Sequence, residues 1–96
     1  MEKEVATFVR PDGTHCEQHP KNGSKFTLEE MQAAVGGLIE IVPSSREGFV
    51  LVVNEDGLGL GLPENPTGRQ LLDPRYRWPG VPVVGNVLLV PNSMID

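Results

Sequence analysis

The stretch TLEEMQAAVGGLIEIV, Thr27 to Val42, decides the fold. Thr27 reads as a helix N-cap, and Glu30 three residues later completes a capping box. In that device the threonine hydroxyl accepts from the N–H at position 30, and the glutamate carboxylate accepts from the N–H at position 27. Phe26 before the cap and Met31 at the fourth helical position form a hydrophobic staple. Leu28, Met31 and Val35 fall on one face at spacings of three and four, with Ala34 at its margin. Glu29 and Glu30 sit at the positive end of the helix dipole. Gly36 or Gly37 supplies the left-handed exit, and Leu38 folds back onto the last turn. A helix of about ten residues is marginal alone and requires a sheet to pack on. Residues 38–42, apolar except for Glu40, predict a central or near-central strand that ends at Pro43.

Outward from this unit the elements are short. Val5 to Arg10 predicts a first strand, ended by the turn residues Pro11, Asp12 and Gly13. A short edge strand is expected at 14–18, with Asn22-Gly23 as an alternative hairpin closure. FVLVVN at 49–54 is the antiparallel partner of 38–42. LGLGL at 58–62 reads as an irregular or edge strand. Asn65-Pro66 opens a short helix running to about Leu72, with Leu71 and Leu72 toward the core. Residues 73–80 form a loop. Val87 to Val90 is the buried part of the last strand, preceded by a tight turn or bulge at Gly85-Asn86. The expected architecture is a single α+β domain over residues 1–96. Four to five short antiparallel or mixed strands are covered on one face by the 27–36 helix, with the shorter helix at an end.

Composition narrows the function classes. The net charge of -5 argues against nonspecific nucleic-acid binding, which needs a basic footprint to displace counterions. Cys16 is the single cysteine, so an internal disulfide and a multi-cysteine zinc site are excluded. The N-terminus has no apolar leader core, and no apolar run approaches the ~18 residues of a membrane span. A cytoplasmic protein without a cofactor is the expectation.

The run TLEEMQ-x-x-VGG-x-IE-x-V at 27–42 resembles a family of uncharacterised domains, domain of unknown function 3846, found in bacteria, bacteriophages and mobile elements. The likeness continues in VVNEDGLGLGLPEN at 52–65 and on to Gly68. There Asn54, Glu55, Gly57, Leu62, Pro63 and Asn65 look like the family's second block. It ends in VVGNVLLV at 83–90, where Asn86 stands at a position often written with aspartate. The resemblance implies a compact α+β fold and a mobile-element ancestry, and it brings no catalytic residues.

Four constellations could carry chemistry. Asp12, His15, Cys16 and His19, with Glu17 among them, offer zinc-type ligands, but adjacent ligands at 15 and 16 strain a compact site and a solvated loop explains the cluster. Glu40, Glu55 and Asp56 could work with Arg69 as an acid–base or ligand site if their side chains converge. The glycines at 57, 59 and 61 lack the lysine-serine of a phosphate-binding loop. Arg75, Tyr76, Arg77 and Trp78, close to Arg69, form a basic–aromatic cluster of the kind that makes protein hot spots; the competing reading tucks Trp78 into the core. The expected function is that of a non-enzymatic accessory or regulatory protein that binds an as yet unknown protein partner. A ligand-binding or enzymatic domain centred on 54–65 is the alternative, and an acidic DNA mimic is a third reading. A homodimer is expected through either the 87–90 strand or the Tyr76–Trp78 loop.

Overall fold

The computed structural model describes residues 4–95. Its strands are β1 (Ala6–Val9), β2 (His15–Gln18), β3 (Ile39–Pro43), β4 (Phe49–Asn54) and β5 (Val87–Pro91); its α-helices are α1 (Leu28–Val35) and α2 (Pro66–Leu71). Single 3-10 turns follow at Pro74–Tyr76 and Asn92–Met94. The five strands form one sheet in the order β2-β1-β5-β4-β3, every neighbouring pair antiparallel. This is the expected α+β class, with β3 and β4 adjacent as a hairpin.

Helix α1 begins and ends as its sequence dictates. Thr27 Oγ1 accepts from the Glu30 N–H at 3.2 Å, and Glu30 Oε1 accepts from the Thr27 N–H at 3.0 Å. Gly36 takes φ 81 and donates to the Gln32 carbonyl, a left-handed step that costs a glycine no Cβ clash. Phe26 and Met31 share one buried cluster, so the staple forms. Leu28, expected on the buried face, is exposed instead. At the first helical position it lies beyond the sheet that Met31 and Val35 cover.

Both faces of the sheet are buried. On one, Met31 and Val35 of α1 pack with Phe26, Val52, Leu88 and Val90. On the other, Leu72 and Val83 from the segment after α2 pack with Val9, Leu51, Val87 and Leu89. Each fully buried aliphatic side chain contributes about 1.5–3 kcal/mol relative to exposure. The short helix therefore serves the face opposite α1 rather than an end of the sheet.

Strand β5 is central and buried along its whole length. The apolar 87–90 segment is thus covered within one chain, and it leaves no edge for a second copy. Its centrality displaces β3, which is outermost and not central as its apolar run predicts: Leu38 and Ile41 are exposed. A strand without charge gains most from burial on two faces, whereas Glu40 is tolerated only where one edge meets water. Residues 58–62 are successive turns rather than a strand, closed by Leu60 N–H to Asp56 and Leu62 N–H to Gly57. No hairpin closes at Asn22-Gly23, because Asn22 Oδ1 accepts from the Ser24 and Lys25 N–H groups and curls the chain locally. The short edge strand expected at 14–18 is β2.

Candidate functional site

The loop after α2 is held by arginines whose heads turn back onto the chain. Asp73 caps the 3-10 turn, its Oδ1 accepting from the Arg75 N–H at 2.9 Å. The Arg75 guanidinium grips both oxygens of the same carboxylate, at 3.2 and 2.8 Å. Those side-chain bonds, and then the Arg75 N–H, hold the Asp73 carboxyl down at about 2. Arg77 donates to the carbonyls of Leu72 at 2.9 Å and Gln70 at 2.6 Å, groups that the end of α2 leaves without helical partners. Arg69 reaches the carbonyls of Val81 and Trp78 at 3.4 and 3.3 Å. The backbone from 72 to 81 is therefore tied at several points, while Tyr76 is 46% and Trp78 65% exposed. The reading that tucks Trp78 into the core is overturned. Leu72 and Val83 already fill that face, and the Arg69 tie holds the tryptophan's backbone outside it.

The acids considered with Arg69 are not gathered. Glu40 lines an apolar cleft of about 180 Å³ with Val42, Val53, Leu58, Val81 and Val83. Arg69 lines a second cleft of about 120 Å³ with Asn65 and Pro82. Glu55 and Asp56 are exposed and line neither. What the 54–68 segment does contain is structure. Asn54 donates to the Val35 carbonyl at 3.1 Å and accepts from the Asp56 N–H. Asn65 is fully buried with every polar atom partnered. A Cβ on Gly57 would stand 2.7 Å from Val84 Cγ2, and one on Gly68 would stand 3.1 Å from the Asn65 amide carbon. Asn54, Gly57, Asn65 and Gly68, four of the residues in the block that carries the family likeness, are thus joints of the fold.

The polar cluster at 12–19 is spread along an exposed edge. Asp12 Oδ1 accepts from the Thr14 hydroxyl at 2.6 Å and its N–H at 2.9 Å, and these bonds lower the Asp12 pKa. His15 pairs across from Val9 and Cys16 from Phe8, so successive side chains of β2 point to opposite sheet faces. His19 lies 3.4 Å from Glu17. Among the described residues no group of three or more such side chains is placed to hold a metal ion.

Helix α1 packs on β3, β4 and β5, leaving a groove of about 590 Å³ between it and the β1–β2 hairpin, floored by Phe8 and Ala34 and rimmed by Gln18, His19, Lys21 and Glu29. Glu30 closes one wall: its Oε2 accepts from the Lys21 N–H at 2.9 Å. Bonds from the Thr27 N–H and then the Lys21 N–H lower the Glu30 pKa. The volume is that of a small-molecule site. Its rim carries both signs of charge, and among the described residues no buried side-chain polar atom lacks a partner, so no ligand class is singled out. Sequence spacing could not reveal this groove, because it depends on which strands α1 leaves uncovered.

Among the described residues no helix is long and apolar enough to cross a membrane. No curated protein and no solved structure matches the chain significantly. The match that exists is to a family described as a domain of unknown function, DUF3846, over residues 5–93, the same stretch that builds the sheet and both helices, and the chain belongs to that family.

Proposed function

We propose that this chain is a small non-enzymatic accessory or regulatory protein that acts by binding another protein, with Tyr76 and Trp78 as its contact residues. The observation that carries the reading is the tied loop at 72–81, which presents two large exposed aromatics on a backbone fixed by Arg69 and Arg77. Tryptophan, tyrosine and arginine dominate binding hot spots, and a pre-ordered backbone reduces the entropy lost on association. Arg75, paired with Asp73 yet largely exposed, adds a polar rim beside them. The dispersal of Glu40, Glu55, Asp56 and Arg69 weighs against the alternative of an enzyme centred on 54–65.

The test is capture from cells, with and without phage infection, using the tagged chain beside a Tyr76→Ala/Trp78→Ala double variant. The expected result is a stoichiometric partner that the variant loses while its melting temperature is unchanged. A partner retained in full by the variant, or no partner in either condition, overturns the reading. Light scattering shows whether that partner is a second copy, since the monomer mass is 10.5 kDa.

A further inference from the structure

Strand β3 has one edge on β4 and one edge toward solvent. Glu55 donates its N–H to the Leu38 carbonyl at 2.8 Å, and the register pairs Glu40 with Val53 and Val42 with Leu51. Hydrogen-bonded pairs recur every second residue in an antiparallel ladder, so Leu38, Glu40 and Val42 turn their main-chain groups toward β4. Ile39 and Ile41 then turn theirs outward. Beyond them the edge is closed: the Pro43 carbonyl accepts from Asp73 N–H at 3.0 Å, and Ser45 N–H donates to Leu71. The open edge is two residues long and apolar, with Ile41 45% exposed.

The side chain between those two residues is Glu40. It has no ion-pair partner among the described residues, and it lines the apolar cleft formed with Val42, Val53, Leu58 and Val81. At about 180 Å³ that cleft lies below the ~300 Å³ where small-molecule sites begin, a size suited to a single long side chain. An apolar trough with one carboxylate at its rim matches a basic side chain, whose methylenes lie on the trough while its charged head reaches the acid. The cleft also adjoins the contact loop, since Val81 lines it and is tied through Arg69 and Trp78.

Resting on the reading of this chain as a protein-binding module, we propose that the partner adds an extended strand to the open edge of β3 and places a lysine or arginine opposite Glu40 in the cleft. Main-chain bonds to Ile39 and Ile41 supply affinity, and the basic side chain supplies selectivity. A second copy of β3 is a poor occupant. The antiparallel register that uses the outward groups of both strands sets Glu40 directly against Glu40 of the other copy, and like charges in that position repel.

The test uses the full chain, labelled with nitrogen-15, and blocked nine-residue peptides of alternating valine and threonine. Their central residue is lysine, norleucine or glutamate. The expected result is amide shifts and slowed exchange centred on Ile39 and Ile41, with the lysine peptide bound about five-fold tighter than the glutamate peptide. Glu40→Lys should reverse that order. Ile41→Pro removes one outward N–H and no bond to β4, so it should abolish binding with the dispersed spectrum retained. Equal binding of all three peptides, shifts centred elsewhere, or no shifts at millimolar peptide overturns the proposal. A dimer in light scattering that Ile41→Pro converts to monomer assigns the edge to a second copy and overturns it as well. Because the probe is synthetic, failure here beside a Trp78-dependent cellular partner removes the β3 slot alone. Success here beside a cellular partner that the Tyr76→Ala/Trp78→Ala variant retains removes the aromatic loop alone.

Discussion

The side-chain amide of Asn65 donates to the main-chain carbonyl of Val9 at 3.2 Å, joining the start of α2 to the end of β1 across 56 positions of chain. The same nitrogen reaches the Gly85 carbonyl at 2.9 Å, and Oδ1 accepts from the Gly68 N–H at 2.8 Å. One buried amide thus serves as a helix cap and as a clasp between β1 and the turn before β5. Asn65→Ala removes three hydrogen bonds to main-chain groups, and the Gly68 N–H loses its cap. A loss of about 3 kcal/mol follows, or roughly 10–20 °C in melting temperature for a domain of this size. Calorimetry checks it, and a loss under about 1 kcal/mol contradicts the clasp. Asn65→Asp should not rescue the protein at neutral pH, because it sets a carboxylate against two carbonyls.

Gly57 and Val84 are packed with no room for a methyl group. Gly57→Ala should cost about 1–3 kcal/mol by overpacking. Val84→Ala removes the atom in the way, so the double variant should lose less than the sum of the two single losses. Strict additivity in urea denaturation would show that the two positions do not meet.

The tied loop separates stability from recognition. Trp78→Ala removes an exposed side chain and should change stability by less than about 0.5 kcal/mol. Arg77→Ala removes two bonds to the carbonyls at the end of α2 and should cost about 1–2 kcal/mol. Amide exchange at residues 72–78 should quicken in the arginine variant alone. Equal exchange in both variants would mean that Arg77 does not fix the loop.

Acid should loosen the same region. The Asp73 carboxyl, ordinarily at 3.8, lies at about 2 in the folded protein, so the folded state takes up its proton less readily than the unfolded chain. Its stabilisation is complete above the unfolded value and disappears as pH falls from about 4 through about 2. The stability difference between the wild type and Asp73→Asn should therefore shrink across that interval, as read by denaturant midpoints at several pH values. A difference that stays constant with pH refutes the assignment. Glu30 is shifted in the same direction by the Thr27 and Lys21 N–H groups, so Glu30→Gln should flatten the acid limb further.

What the chain states by itself is local. The Thr27–Glu30 box, the Gly36 exit, the β3–β4 hairpin and the Asn65-Pro66 helix start each depend on groups within a few positions of one another. Their geometry follows from backbone sterics and short hydrogen-bonded loops. Membership of the family is legible for the same reason, since several of its motif residues are these joints. Tertiary structure decided the sheet order, and with it everything about the surface. Strand β5 holds the centre because an uncharged strand is worth most where both faces and both edges are covered. That choice sends β3 outward with Glu40 beside an open cleft and leaves β1–β2 bare next to α1. The arginines near Trp78 looked like recognition residues in the sequence. Most of their hydrogen bonds go to carbonyls that only the folded chain brings within reach, so local pattern could not show that they hold the loop while the aromatics face solvent.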